Sequence, residues 1–145
     1  MSEVHLAVGV SVLCLSLVAG ALGGIAWLRS RPSIPFWYVL RAAQVAVFAQ
    51  VILGVLLVFS GHRPDDNLHY LYGALPLPVS LLAEAARAGA AQQELGDADF
   101  EAMPPAEQRA TALAIVRRET GIMAVACLVI FFLALRAAAT SGHLL

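Results

Sequence analysis

Long apolar runs constrain this chain more than any other feature. The stretches VHLAVGVSVLCLSLVAGALGGIAWL, VLRAAQVAVFAQVILGVLLVF and GIMAVACLVIFFLAL are each close to the length of a bilayer crossing, and LHYLYGALPLPVSLLAEAARA adds a fourth run. A hydrocarbon layer of about 30 Å takes roughly 20 apolar residues per helix, so four spans and short connections use nearly all of a 145-residue chain. No soluble domain is left over. With 60% hydrophobic and 13% charged residues and a mean hydropathy of +0.79, the balance lies far from that of a soluble domain. The expected fold is all-α: one integral-membrane four-helix bundle, a single domain over residues 1–145.

Boundary signals place the helices at about 4–28, 35–60, 68–90 and 105–140. Arg29 and Arg31 close the first, and a short loop with Pro32 and Pro35 leads to the second. Trp27, Phe36, Trp37 and Tyr38 around that loop resemble an aromatic belt at a membrane interface. GHRPDDN turns the chain towards the third helix, where Pro76 and Pro78 should bend the rod or loosen its hydrogen-bond ladder. Residues 92–107 are polar and acidic and form the one sizeable connection, and Pro105 suits the first turn of a helix. MSE lacks the basic opening of a signal peptide, so the first helix is expected to remain in the mature chain.

Arginine placement sets the expected orientation, because positive residues are retained on the cytoplasmic side of short loops. Arg29, Arg31, Arg41, Arg87, Arg109, Arg117 and Arg118 fall at one end, and only Arg63 and Arg136 at the other. Both termini are then outside. All four histidines, His5, His62, His69 and His143, share that outer end. Nine arginines, ten acids and no lysine leave a net charge of −1, which offers no basic surface to nucleic acid. Arginine without lysine suggests a high-GC bacterial genome, and so a bacterial cytoplasmic (inner) membrane.

His5 and His69 open the first and third helices, and each is followed four residues later by a glycine, Gly9 and Gly73. Such a glycine leaves a bare patch on the histidine's own helical face, where a flat macrocycle can approach the backbone. Below His5 the face is expected to continue through Ser16, Gly20 and Gly24, and below His69 through Ser80 and Ala83, small residues that let membrane helices pack closely. Two neutral imidazoles on opposing helices are the axial arrangement that holds a b-type haem. Arg63 and Arg136 lie at the same end as candidate partners for the propionates.

The segment RAAQVAVFAQVILGVLLVFSGHRPDDNLHYLYGAL resembles the Q-x-x-x-G, loop, H-x-x-x-A/G pattern of one half of a haem A synthase, with Gln50, Gly54 and His69 at the matching positions and His5 opening the first helix. The likeness covers roughly the first 80 residues. It implies one half of a two-half architecture in which each four-helix half has a potential bis-histidine haem site. The E-x-x-H-R motif usual in the family's catalytic half is missing: Ser2 stands at the glutamate position, Leu6 replaces the arginine, and Glu3 is one residue out of phase. The resemblance therefore implies haem binding rather than haem oxidation.

Other polar residues have rival readings. His62, Asp65, Asp66, His69 and His143 combine nitrogen and oxygen donors suited to Zn or Cu, but they also read as a turn with a helix cap. Gln44 and Gln50, six residues apart, fall on different faces; Gln50 shares a face with Gly54 and is the better candidate to face a cofactor, although the commoner role of such a residue is interhelical hydrogen bonding. Arg41 is expected to snorkel to the interface. Glu84 and Arg87 are placed to pair with each other or with Arg117, Arg118 and Glu119, either as an interfacial ion network or as a proton-relay or quinone-headgroup cluster. Cys14 and Cys127 read as small apolar fillers, with a disulfide conceivable if the first and last helices are neighbours.

The combined expectation is a membrane-bound haem b protein for electron transfer, with His5 and His69 as iron ligands and no substrate covalently changed. Its expected surroundings are lipid, respiratory-complex subunits or a second copy of the chain. The alternative is a cofactor-free accessory subunit of a larger membrane complex.

Overall fold

A computed structural model describes residues 2–61 and 66–140, and within them every regular element is helical. The segments are α1 (Ser2–Leu28), α2 (Ile34–Phe59), α3 (Leu68–Ala74), α4 (Pro76–Ala88), α5 (Ala90–Leu95) and α6 (Pro105–Thr140).

Helix ends follow local chemistry. α1 stops in a Schellman motif: the Ser30 N–H donates to the Trp27 carbonyl (3.1 Å) and the Arg31 N–H to that of Ala26 (3.0 Å). That motif needs one left-handed residue, and Ser30 fills the place with φ +51°. α2 starts with Pro35 in its first turn and with the Ser33 hydroxyl accepting from the Phe36 N–H at 3.4 Å. It closes at Ser60, followed by Gly61 at φ +83°.

The expected single helix over 68–90 is divided. Leu75 joins α3 to α4 with helical angles (φ −56°, ψ −33°), so the two continue as one rod. Pro76 and Pro78 lack the N–H groups that would reach back to the carbonyls of Tyr72 and Ala74, and the ladder breaks there. Taken together, residues 68–88 are about 30 Å long. The expected connection over 92–107 is partly helical as well, since α5 extends to Leu95 before Gly96 turns the chain at φ +56°.

Three helices, Glu3–Leu28, Ile34–Phe59 and Pro105–Thr140, are long and apolar enough to cross a membrane. They are apolar on all sides: Val45, Phe48, Ile52 and Phe59 of α2 lie on the outside, as do Leu17 and Ile25 of α1 and Phe132 of α6. At 1.5 Å per residue, α6 is about 54 Å long, well beyond one hydrocarbon layer. α5 is held against it by Arg118, which bonds Glu94 (3.0 Å) and Gln93.

α6 packs against α1, α3, α4 and α5, while α1 pairs with α2, and α2 meets α3 and α4 sparsely. The order around the bundle is therefore α1, α2, α3–α4, α6. α1 and the α3–α4 rod face each other across the diagonal. The core gathers Ala19 of α1, Phe36 and Leu40 of α2, Ala83 of α4, and Met123, Ala126 and Cys127 of α6. A smaller layer of Val12, Val47 and Ile130 lies nearer the histidines.

Small residues set how closely the rods approach, but on a slightly different stripe from the expected one. A Cβ on Gly23 would come within 2.5 Å of the Phe36 ring and 2.9 Å of Ala124, whereas one on Gly24 would meet nothing within 4 Å. Helical rotation of about 100° per residue returns Gly23 to the azimuth of His5 and leaves Gly24 about 100° away. Gly20, Ser16, Ser80 and Ala83 do face neighbours or the core. Cys14 is exposed and Cys127 buried, and both are free thiols.

Candidate functional site

At the end of the bundle where α1 and α3 begin and α2 and α6 finish, two imidazoles meet across the diagonal. The ring centroids of His5 and His69 are 6.2 Å apart, with planes inclined at 60°. α1 and α3 belong to opposite corners, so this contact is made by side chains reaching into the bundle rather than by touching backbones.

His69 is held by α6. Its Nδ1 lies 3.0 Å from the Ala137 carbonyl oxygen, which can only accept, so Nδ1 carries the proton and Nε2 holds the lone pair of the neutral ring. This is how metal-ligating histidines are commonly oriented, with the distal N–H fixed on a carbonyl and the other nitrogen kept basic.

His5 is held by α2. The Gln50 side-chain amide nitrogen lies 3.2 Å from His5 Nε2 and donates to it. His5 Nδ1 and Gln50 Oε1 are both buried without a hydrogen-bond partner. An unpaired buried polar atom costs about 1–3 kcal/mol, so this pair of side chains is only half satisfied in its hydrogen bonding.

The glycines divide into two kinds. Gly9 is not the bare patch expected below His5, because a Cβ there would stand 3.0 Å from the Gln50 amide nitrogen; the glycine accommodates Gln50 instead. Gly54 lies beneath the imidazole of His5, 3.4 Å from where its own Cβ would be. Gly73 is open, with nothing within 4 Å. Arg136 sits 5.9 Å from the centre of the Tyr72 ring, one helical turn beyond His69. His62, Arg63, Asp65 and His143 lie outside the described residues. Asp66 accepts from the Leu68 N–H at 2.9 Å at the start of α3. Among the described residues, no three of His, Cys, Asp and Glu converge as a metal-ion cluster.

A second polar cluster occupies the opposite end of the bundle. Glu84 accepts from Arg41 (2.6 Å), Gln44 (2.8 Å) and Arg87 (2.9 Å from its Nε), and Arg87 lies 3.6 Å from Glu119 and 5.8 Å from the centre of the Trp37 ring. Arg41 is thus paired across helices rather than merely reaching for an interface. Arg118 pairs with Glu94 of α5 instead, and Arg117 donates from Nε to the Trp27 carbonyl at 3.5 Å. Between the two clusters, a cavity bordered by Ser16, Gln44 and Ser80 has room for about one water molecule. The Val12–Val47–Ile130 layer separates it from the histidines. Gln44 and Gln50 therefore serve different clusters.

Residue type and spacing pick out His5, His69, Gln50 and Gly54 in advance. The Ala137 carbonyl leaves no such trace, because any residue presents a carbonyl and only the packing of α6 brings this one to His69.

Comparison with protein-family models, with curated proteins and with solved structures returned no match. The likeness to a haem A synthase half therefore stands on the residues quoted for it.

Proposed function

We propose that the chain is a membrane protein that binds one haem b between α1 and α3 and serves in electron transfer. Three helices long and apolar enough to cross a membrane, with large hydrophobic side chains facing outward, support insertion in lipid. The arginine asymmetry supports an orientation with the histidine end outside the bacterial cytoplasmic membrane.

The observation that carries the haem reading is the paired imidazoles. Two imidazoles on opposite sides of one metal, at metal–nitrogen bonds of about 2 Å, would hold their ring centroids roughly 6 Å apart. The observed separation is 6.2 Å. The proton on His69 Nδ1 leaves the lone pair of Nε2 free to ligate, and open space over Gly73 fits a flat ring at that depth. Haem supplies one-electron chemistry at iron when bound. His5 and His69 are its ligands, and the Ala137 carbonyl holds the His69 tautomer. Gly54 gives the His5 ring room. Gln50 must release His5 Nε2 for that nitrogen to ligate. Arg136, and Arg63 beyond the described residues, are the cations available to carboxylates at that end.

One observation favours the second reading, a cofactor-free accessory subunit of a larger membrane complex: Gln50 already engages His5, which ties α1 to α2 without any ligand. Ligand variants separate the two. After expression with adequate haem, His5→Ala and His69→Ala should each lose the haem or turn it high-spin in the optical and electron-paramagnetic spectra, and His62→Ala and His143→Ala should not. A low-spin spectrum retained in either of the first two removes the ligand assignment. An accessory subunit would carry no haem and co-purify in stoichiometric amount with larger partners.

A further inference from the structure

The two imidazoles differ in which nitrogen their partners occupy. His69 gives its Nδ1 proton to the Ala137 carbonyl of α6 at 3.0 Å, and that bond leaves the Nε2 lone pair alone. His5 is held at Nε2, which accepts from the Gln50 amide of α2 at 3.2 Å, while its Nδ1 has no hydrogen-bond partner. In the neutral ring the proton is then on Nδ1, and Nε2 carries the one lone pair that can ligate. Gln50 and a metal therefore compete for the same electrons at His5. Two glycines make that side of the site movable. A Cβ at residue 9 would stand 3.0 Å from the Gln50 amide nitrogen, and one at residue 54 would stand 3.4 Å from Cε1 of His5. The amide thus has a seat beside α1, and no side chain of residue 54 wedges the ring from beneath.

Resting on the haem reading above, we propose that His69 is the permanent axial ligand and His5 the exchangeable one. Gln50 is the positioning residue that receives His5, which opens one coordination position to a small neutral molecule of the size of carbon monoxide. In the exchange the iron–Nε2 bond breaks with its electron pair staying on His5, and that pair accepts the Gln50 N–H. No proton or electron changes hands. A side-chain hydrogen bond of ordinary net strength favours the open arrangement about five-fold, and the apparent dissociation constant of an incoming ligand falls by the same factor.

The test uses the full chain in detergent, reduced with dithionite and titrated with carbon monoxide under an absorption spectrometer, with circular dichroism confirming that each variant is folded. The wild type is expected to be low-spin before the titration and to bind carbon monoxide stoichiometrically. Gln50→Leu should stay low-spin and raise the apparent Kd about five-fold. Gln44→Leu, on the same helix but in the opposite cluster, should leave it unchanged. His5→Ala should keep its haem in high-spin form and bind carbon monoxide more tightly than the wild type, and His69→Ala should lose most of its haem. A purely structural Gln50 would lower the thermal midpoint on substitution without moving the carbon monoxide affinity, and that result overturns the proposal. So does a folded, low-spin wild type that binds no carbon monoxide, or equal haem retention in the two histidine variants. The failures stay separate: a folded chain without a Soret band removes the haem reading and this inference with it, whereas low-spin haem with equal carbon monoxide affinity in wild type and Gln50→Leu removes this inference alone.

Discussion

His69 and His5 are alike in sequence and unlike in how they are held. A backbone carbonyl cannot turn away, so His69 is fixed in one tautomer, while His5 depends on an amide that can rotate. Gln50→Leu is therefore expected to cost only about 0.5–1.5 kcal/mol of stability, the range for one interhelical side-chain hydrogen bond, when thermal unfolding is followed in detergent. It should not reduce haem occupancy, because on the haem reading Gln50 vacates His5 Nε2; loss of haem in this variant would mean that Gln50 itself holds the cofactor. At the opposite end, Glu84 is the common partner of Arg41, Arg87 and Gln44. Its side chain is 27% exposed, which discounts the pairs, and Glu84→Gln is expected to lower stability by about 1–2 kcal/mol by the same measurement. The histidines and Gln50 were legible as residue types at helical spacing. Their partners were not, because Ala137 contributes a backbone group and the Arg41–Glu84 pair spans 43 positions.

Among the elements, the rods read well from the chain and their seams less so. Hydropathy and Pro105 placed α6 at its observed limits, and α1 and α2 begin and end within two residues of expectation. The prolines of the third rod were recognised as a disturbance, yet their effect, two segments joined at Leu75, depends on which carbonyls lose donors. The stripe of small residues on α1 was expected at Gly24 because steps of four drift around a 3.6-residue helix. Packing at Gly23 gives a sharp contrast: Gly23→Ala is expected to cost about 1–3 kcal/mol through collision with Phe36, whereas Gly24→Ala should be neutral or gain up to about 1 kcal/mol of helix propensity. Equal thermal midpoints in the two variants would contradict the α1–α2 crossing. At the end of α1, Ser30→Gly relieves a left-handed residue, which costs about 1–2 kcal/mol. Glycine's greater freedom in the unfolded chain takes back about 0.5–1 kcal/mol, so a small rise in the midpoint is expected.

For the whole molecule, charge asymmetry and bundle topology point the same way. The histidine pair and the Glu84 network lie at opposite ends, and most of the arginines are concentrated with the network, which on the proposed orientation is the cytoplasmic end. A phosphatase that is active only outside the cytoplasm should be active when fused after residue 145 and silent when fused within residues 96–104. The reverse result would invert the bundle and place the imidazoles inside. The diagonal placement of α1 against α3–α4 was beyond the sequence, because hydropathy locates rods without ordering them around an axis. That placement lets two histidines meet without their helices touching.

The proposal of a haem between His5 and His69 is tested most directly by the absorption spectrum of the purified wild-type chain, oxidised and then reduced with dithionite, with haem and protein both quantified. A Soret band with a sharp reduced α-band, at one haem per chain, is the expected result. A protein expressed with adequate haem that is folded, membrane-bound and without a Soret band would contradict it.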